Sequence, residues 1–214
     1  MSIKLKHSGG NSVSLNPPTS APTSSEVAFK LPTSDGSAGQ VLTTDGSGNL
    51  SWVTQPTAGL TEADLFRLTA DISLTANSDF DIPTNWERPD SANDAFGKLG
   101  TGMSFSSETW TFPSTGIYRV GFNGSVYANG ATATTRFQIL ATENNSTYQK
   151  QTESHVTARN GYWGVANLEA LIDVTDTTNV KVRFRVTAEG NNQLLASNSA
   201  HSITYVSFIR LGDT

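Results

Sequence analysis

The C-terminal two-thirds of the chain shows the alternation of apolar and polar residues that is typical of β-strands. In the clearest example, residues 180–186, a Val or Phe at every second position alternates with a Lys or Arg. Such a strand places one face in a core and the other in water. Residues 66–211 are therefore expected to form a sheet protein with at least one buried layer.

About eight segments carry a strand pattern, and Gly or Asn residues mark several of the turns between them. The predicted strands are 66–74, 103–106 with 109–112, 117–128, 132–143, 147–156, 162–174, 179–188 and 201–211. Two long loops are expected, at 75–101 and 189–200. Eight short antiparallel strands in one domain predict an all-β jelly-roll sandwich.

Two of these strands, 162–174 and 201–211, are apolar on both faces. A two-layer sandwich covers only one face of each strand, so the second face needs another partner. The alternative is that isolated exposed aromatic residues are ordinary and need no partner. The second face must meet another subunit or a ligand, and we interpret it as an interface between subunits, formed by Trp163, Val165, Val206 and Phe208.

The first 60 residues differ from the rest because they are rich in Ser, Thr, Gly and Pro and contain only two aromatic residues. Such a segment buries too little apolar surface to offset the entropy of ordering it, so it is either disordered or ordered by other chains. Short strand patterns and a hairpin turn at 45–49 favour ordering by partners. We therefore predict an extended stem at 1–60 and a head at 61–214, with one helical turn at 61–64, which has a Thr-x-x-Asp pattern.

Composition narrows the function classes. Only 15% of the residues are charged and the net charge is −5, whereas a nucleic-acid-binding domain usually carries a basic stripe. The chain contains no Cys, which excludes disulfides and Cys-based metal sites. Its first residues contain no apolar secretory region, and no apolar run approaches the ~20 residues that span a bilayer. We expect no membrane insertion and synthesis in a cytoplasm.

No catalytic motif for hydrolysis, zinc binding or phosphate binding occurs in the sequence. We therefore expect a protein that is not an enzyme, with no catalytic residue, no cofactor and no metal. Asp79 and Asp81 share one face of an extended segment. Calcium binding is one interpretation of this pair, and solvation of a turn is the favoured one.

Aromatic and amide side chains in the loops suit carbohydrate, which proteins hold by ring stacking and amide hydrogen bonds. The alternative, which the spacing favours, is that these residues are solvated turns. The candidates are Trp86, Asn129, Asn144, Asn145, Tyr148, Asn191, Asn192 and Gln193.

The head resembles a known family. Residues 112–122, FPSTGIYRVGF, are similar to the aromatic, Gly-Ile/Val-Tyr and alternating-strand motif of the complement globular-head and tumour-necrosis-factor-like jelly rolls. Residues 202–211, SITYVSFIRL, resemble the last strand of that family. The resemblance covers roughly 66–211 and implies a ten-strand jelly roll that forms a compact trimer through its inner sheet.

The stem carries a second, more specific resemblance. Residues 31–52, LPTSDGSAGQVLTTDGSGNLSW, are similar to an element of phage tail fibres and virion proteins that precedes a C-terminal head. Residues 3–11, IKLKHSGGN, resemble the start of structural proteins in phages of marine cyanobacteria. These resemblances imply a virion protein that is assembled in the host cytoplasm.

Together these features predict a trimeric virion fibre or knob whose stem binds other virion proteins of the tail and whose head contacts the host surface, where a glycan is one candidate partner. The first alternative is a capsid decoration protein bound to the shell, which the short chain keeps open. A more remote alternative is a secreted signalling jelly roll.

Overall fold

The computed structural model describes residues 3–16, 18–24, 26–55, 59–89 and 97–214. All regular elements within these residues are β-strands, so the all-β prediction is confirmed. The chain divides into two compact units, Met1–Ala58 and Gly59–Thr214. No helix in the described part of the chain has the length and apolar character that crossing a membrane requires.

The first unit is built from two antiparallel hairpins. Strand β1 (Ile3–Lys6) pairs with β2 (Ser12–Leu15), and β3 (Gln40–Thr44) pairs with β4 (Leu50–Thr54). None of the side chains that the structure describes in this unit is buried. The unit therefore has local hydrogen-bonded structure but no hydrophobic core of its own.

The turn between β3 and β4 is held by one carboxylate. Oδ1 of Asp45 accepts hydrogen bonds from the backbone N–H groups of Ser47 and Asn49, at 2.8 and 3.1 Å. Short polar side chains favour turns because they bond their own backbone in this way. The hairpin predicted at 45–49 is confirmed.

In the second unit, the described residues form two antiparallel sheets. Their strands are β5 (Ala63–Leu68), β6 (Ile72–Leu74), β7 (Asp79–Asp81), β8 (Trp86–Glu87), β9 (Lys98–Leu99), β10 (Ser104–Ser106), β11 (Thr109–Thr111), β12 (Gly116–Ala128), β13 (Ala133–Thr142), β14 (Gln149–Ala158), β15 (Trp163–Val174), β16 (Lys181–Ala188), β17 (Gln193–Leu195) and β18 (Tyr205–Gly212). The long strands lie where they were predicted. The predicted strand 66–74 is instead two strands, β5 and β6, and the predicted loop 75–101 contains β7, β8 and β9.

Strand order defines a smaller and a larger sheet. The smaller sheet has the order β10–β11–β16–β13–β14, with β7 also paired to β16. In the larger sheet, β5, β18, β12 and β15 are successive neighbours, β8 and β9 pair with β5, and β17 and β6 continue from β12. The last strand, β18, therefore lies between β5 and β12.

The two sheets enclose one core. Alternate residues of β16, Val182, Phe184 and Val186, are buried in it, as the sequence predicted. The centre is Trp110 of β11, whose side chain is fully buried. Rings from both sheets surround its indole: Phe66, Trp86, Phe105, Phe184 and Phe208. Because edge-on and tilted ring contacts add to the energy of area burial, this cluster helps to hold the two sheets together.

The helical turn predicted at 61–64 is wrong, because β5 begins at Ala63. The carboxylate of Asp64 does not cap a helix but bonds groups far away in the chain. It accepts a hydrogen bond from the backbone N–H of Met103 at 2.7 Å and pairs with Arg88 at 2.9 Å. A capping pattern considers only residues a few positions apart, so it cannot identify partners this distant in the sequence.

Candidate functional site

The outward face of the larger sheet exposes large apolar side chains. Along β15 the inward residues are mostly buried, whereas every outward residue is exposed. Trp163, Val165 and Leu171 on this strand are 58%, 54% and 67% exposed. Such side chains normally mark a contact surface when they share a face with other apolar residues.

The interface assignment for β18 is wrong. Val206 and Phe208 are buried in the core of a single chain, because pairing sets Val206 opposite Phe122 and Phe208 opposite Val120, which both point inward. The outward residues of β18 are those at the alternate positions: Tyr205, Ser207, Ile209 and Leu211. The strand does carry two apolar faces, but the sequence interpretation exchanged them.

Strand pairing joins the outward residues into rows across the sheet. One row runs from Leu171 through Arg119 and Ile209 to Ala63. At the other end of β15, the ring of Trp163 lies 5.0 Å from that of Tyr127 on β12. We call this surface, formed by the outward side chains of β12, β15 and β18, the outer sheet face.

The middle of the outer sheet face is polar. Arg119 on β12 pairs with Glu169 on β15, and Asn167 lies opposite Asn123. The hydrogen bond from Arg119 lowers the pKa of the Glu169 carboxyl. The face thus combines two apolar ends with a charged and amide-bearing centre.

The predicted sugar-binding residues do not all lie at one place, although Asn129, Asn191, Asn192 and Gln193 line one cavity. Asn144, Asn145 and Tyr148 lie in the turn between β13 and β14, whereas Asn191 and Asn192 lie between β16 and β17. Oδ1 of Asn144 is occupied within its own loop, by hydrogen bonds from the backbone N–H groups of Ser146 and Thr147, at 3.0 and 2.9 Å.

Two predicted aromatic platforms have other roles. Trp86 belongs to β8 and packs against the core, with its ring 5.8 Å from Trp110, so its expected place in an exposed loop is wrong. The Tyr148 ring lies under the guanidinium of Arg183, at 4.1 Å, and a cation already covers that ring face.

The outward side of the smaller sheet is charged. Asp79 and Asp81 of β7 pair with Arg185 of β16, at 3.0 and 2.6 Å, and Asp81 also lies 3.4 Å from Arg183. These arginines neutralise the carboxylates that a calcium ion would need. Within the described residues, no three His, Asp or Glu side chains are grouped closely enough to hold a metal ion.

Glu153 on β14 is the most strongly perturbed carboxyl among the described residues. Its carboxylate bonds to His155 at 3.0 Å, to Lys150 at 3.1 Å and to Gln138. These hydrogen bonds lower its pKa from 4.5 to about 2. The lowered pKa means that the folded state prefers the charged form more than the unfolded chain does. The resulting stabilisation is fully present above pH 4.5 and is lost as the pH falls toward 2.

Replacing Glu153 by Gln is therefore expected to reduce the acid sensitivity of the head. The variant should be less stable than the original chain by about 1 kcal/mol at pH 6, because the surface position screens the interaction, and the difference should shrink by pH 3. Urea unfolding at both pH values measures this. Glu143→Gln, at an exposed position, is the matched control. If the stability difference between Glu153→Gln and the original chain were the same at pH 6 and at pH 3, the lowered pKa of Glu153 would be contradicted.

No protein-family model and no curated protein sequence matches the chain. Solved structures do match its head. Murine APRIL at pH 5.0 has a TM-score of 0.51 at 12% identity, over 70% of this chain and 98% of that chain. Eiger TNF from S. frugiperda scores 0.49 at 11% identity, over 73% and 96% of the two chains.

The phage PRD1 vertex protein P5 has a TM-score of 0.42 at 13% identity, over 72% of this chain and 100% of that chain. Scores below 0.5 do not establish a shared fold. At 12% identity the likeness to APRIL concerns the fold alone. It agrees with the two-sheet topology described above and confirms the jelly-roll prediction. The head of this chain has a tumour-necrosis-factor-like jelly-roll fold.

Proposed function

We propose that this chain is a structural, non-catalytic virion protein, a trimeric fibre or knob that a phage particle displays for attachment to the host surface. The observation that carries the proposal is the exposure of large apolar side chains on both units of a single chain. The similarity of residues 3–11 and 31–52 to phage structural proteins supports the virion context.

The first unit supports assembly because it has no core. Its apolar side chains lie on the surface, and Leu5, Phe29 and Leu31 are 64%, 66% and 75% exposed. Isolated two-stranded hairpins are marginally stable in water. We infer that copies of the same chain and other virion proteins cover this surface, which makes residues 1–60 a trimerising and anchoring stem.

The phage-like motif at 31–52 has a defined local structure. Trp52 donates a hydrogen bond from Nε1 to the carbonyl of Ser34 at 3.1 Å, and a Cβ added at Gly36 would lie 2.6 Å from its ring. Oε1 of Gln40 accepts a hydrogen bond from the backbone N–H of Ser37 at 2.7 Å. These contacts hold the segment in one conformation, and they support a preformed docking element.

The outer sheet face supports trimerisation of the head. It includes the predicted interface residues Trp163 and Val165, to which the structure adds Leu171, Tyr205 and Ile209 as outward residues. Burying them between subunits would remove apolar surface from water at a gain of roughly 25 cal/mol per Å². Three aligned heads would also raise the avidity for a repeated surface ligand by about 10² to 10⁴.

The molar mass of the protein in solution tests whether it is a trimer. Light scattering of the full chain is expected to give three times the chain mass of 22.8 kDa. In the head alone, residues 59–214, which lacks the trimerising stem, the double substitution Val165→Asp with Leu171→Asp should reduce the mass to one chain. It introduces charges into the proposed interface without touching the core of the protomer.

The matched control places the same charges on the other sheet. Gln149→Asp with Gln151→Asp changes two exposed residues of β14, and this variant should keep the trimer mass. A monomer for the unmodified chain at micromolar concentration would overturn the trimer. An unchanged mass for the β15 variant would remove that strand from the interface.

The virion location is tested on particles. Gold-labelled antibody against the head should mark the tail tip if the chain is an attachment fibre or knob. Label over the shell would instead support the second candidate, a capsid decoration protein. Particles without label would contradict both.

A further inference from the structure

A cavity of about 500 Å³ lies at one end of the head, away from the core. Three parts of the chain form it: the end of β6, the turn after β12, and the segment that leads into β17. Its polar lining residues are Ser73, Thr75, Asn129, Asn191, Asn192 and Gln193. This volume falls within the range of sites for small ligands.

The polar groups of the cavity are free to bind a ligand. Among the described residues, the side-chain amides of Asn129, Asn191 and Asn192 make no hydrogen bond to the protein. None of the residues that line the cavity is charged. A ligand that fits must therefore be polar and neutral, since a phosphate or carboxylate group would meet no cation there.

Gln193 fixes part of the cavity wall. Its side chain is buried, and Nε2 points to two carbonyl oxygens, of Ala131 at 3.3 Å and Asn191 at 3.5 Å. These two acceptors determine the orientation of the amide, because a reversed amide would set oxygen against oxygen. Oε1 has no donor among the described residues. This oxygen is itself shut off from the surface, so the amide of Gln193 contributes to the wall of the cavity and not to contacts with a ligand.

The walls of the cavity are held in place by the backbone. The N–H of Asn129 donates to the carbonyl of Asn192 at 2.8 Å, and β17 pairs with both β12 and β6. Asn192 has a left-handed backbone with φ of 60°, a conformation that Asn and Gly tolerate best. The site therefore needs little ordering when a ligand binds, which improves affinity.

We propose that this cavity binds a neutral sugar unit of a host-surface glycan. Hydroxyl groups of a sugar donate and accept hydrogen bonds, as do the amides and hydroxyls that line the cavity. The proposal rests on the attachment function above, and it adds the chemical class of the ligand and the residues that recognise it. In a trimer, three such cavities would act together.

Saturation-transfer NMR on the full chain tests the proposal with methyl glucoside, methyl galactoside, methyl mannoside and N-acetylglucosamine. N-acetylneuraminic acid and inorganic phosphate serve as the anionic comparators. At least one neutral sugar is expected to bind with a dissociation constant of about 1–10 mM, a strength ordinary for one unaided small site. Absence of transfer to all four neutral sugars, or a preference for the anions, would overturn the proposal.

The double substitution Asn191→Ala with Asn192→Gly should weaken binding at least about tenfold, the effect of losing roughly 1.4 kcal/mol. Gly preserves the left-handed backbone at 192. The control is Asn145→Gly, which changes another left-handed Asn in a different loop and should bind normally. Equal binding by the double variant would contradict the assignment of the site, and Asn129→Ala replaces that variant if it does not fold.

Failure here is separable from failure of the proposed function. If particles carry the label at the tail tip but the protein binds no sugar, only the cavity proposal is contradicted. If the double substitution abolishes sugar binding but particles carry no label, the virion assignment is contradicted and the cavity proposal is supported.

Discussion

Replacing Trp110 by Ala is expected to lower the free energy of unfolding of the head by about 3–5 kcal/mol. The indole is fully buried between the sheets, and its ring centroid lies 4.6 Å from that of Phe66 and 5.2 Å from that of Phe208 in the larger sheet. Its loss leaves a cavity that neighbouring strands of a closed sandwich cannot fill, because packed interiors relax only in part. Urea unfolding followed by circular dichroism measures the change.

Trp52→Ala is the matched control, because this tryptophan belongs to the first unit and is 39% exposed. It should leave the unfolding of the head unchanged. A loss below about 1 kcal/mol for Trp110→Ala would mean that the aromatic cluster does not link the sheets as described.

Replacing Asp64 by Ala is expected to destabilise the head by about 3 kcal/mol, the effect typical of removing one partner from a buried ion pair. The carboxylate is almost fully buried and pairs with Arg88, whose guanidinium lies 4.4 Å from the ring centre of Phe66. The substitution also leaves the backbone N–H of Met103 without its acceptor. Thermal and urea unfolding of the variant provide the measurement.

A double-mutant cycle separates the charge from the packing. The second variant, Arg88→Met, keeps an apolar side chain near Phe66, and adding it to Asp64→Ala should recover part of the lost stability, since no charge is then left without a partner. Additive losses from the two substitutions would show that the ion pair itself contributes nothing.

The sequence predicts which side of a strand faces the core when the other side of that strand is polar. The basic residues between Val182, Phe184 and Val186 identify the outward side of β16, so its orientation followed from the pattern alone. The faces of β18 could not be assigned in this way, because both are apolar. Its orientation depends on the register with β12, a long-range property that a single-residue shift reverses.

The sequence also could not locate the functional surfaces. Trp86 lies in a stretch without periodicity, and the two-residue strand β8 brings it to the core only by pairing with β5. The cavity proposed to bind a sugar combines residues near 74, 129 and 192, which only the folded chain brings together. Amide-rich turns in the sequence indicated the type of residue involved, but not which of them share a pocket.

The position of β18 has a consequence for how the protein is made. This strand is synthesised after the other described strands of the head, yet in the larger sheet it lies between β12 and β5. Until residues 205–212 are synthesised, β5 and β12 have no neighbour to join them, and Val120 and Phe122 lack the side chains that cover them. The larger sheet therefore cannot close before β18 is synthesised, and a chain truncated before residue 205 exposes two unpaired sheet edges, which favour aggregation and degradation. The order of strands thus makes assembly depend on the presence of β18.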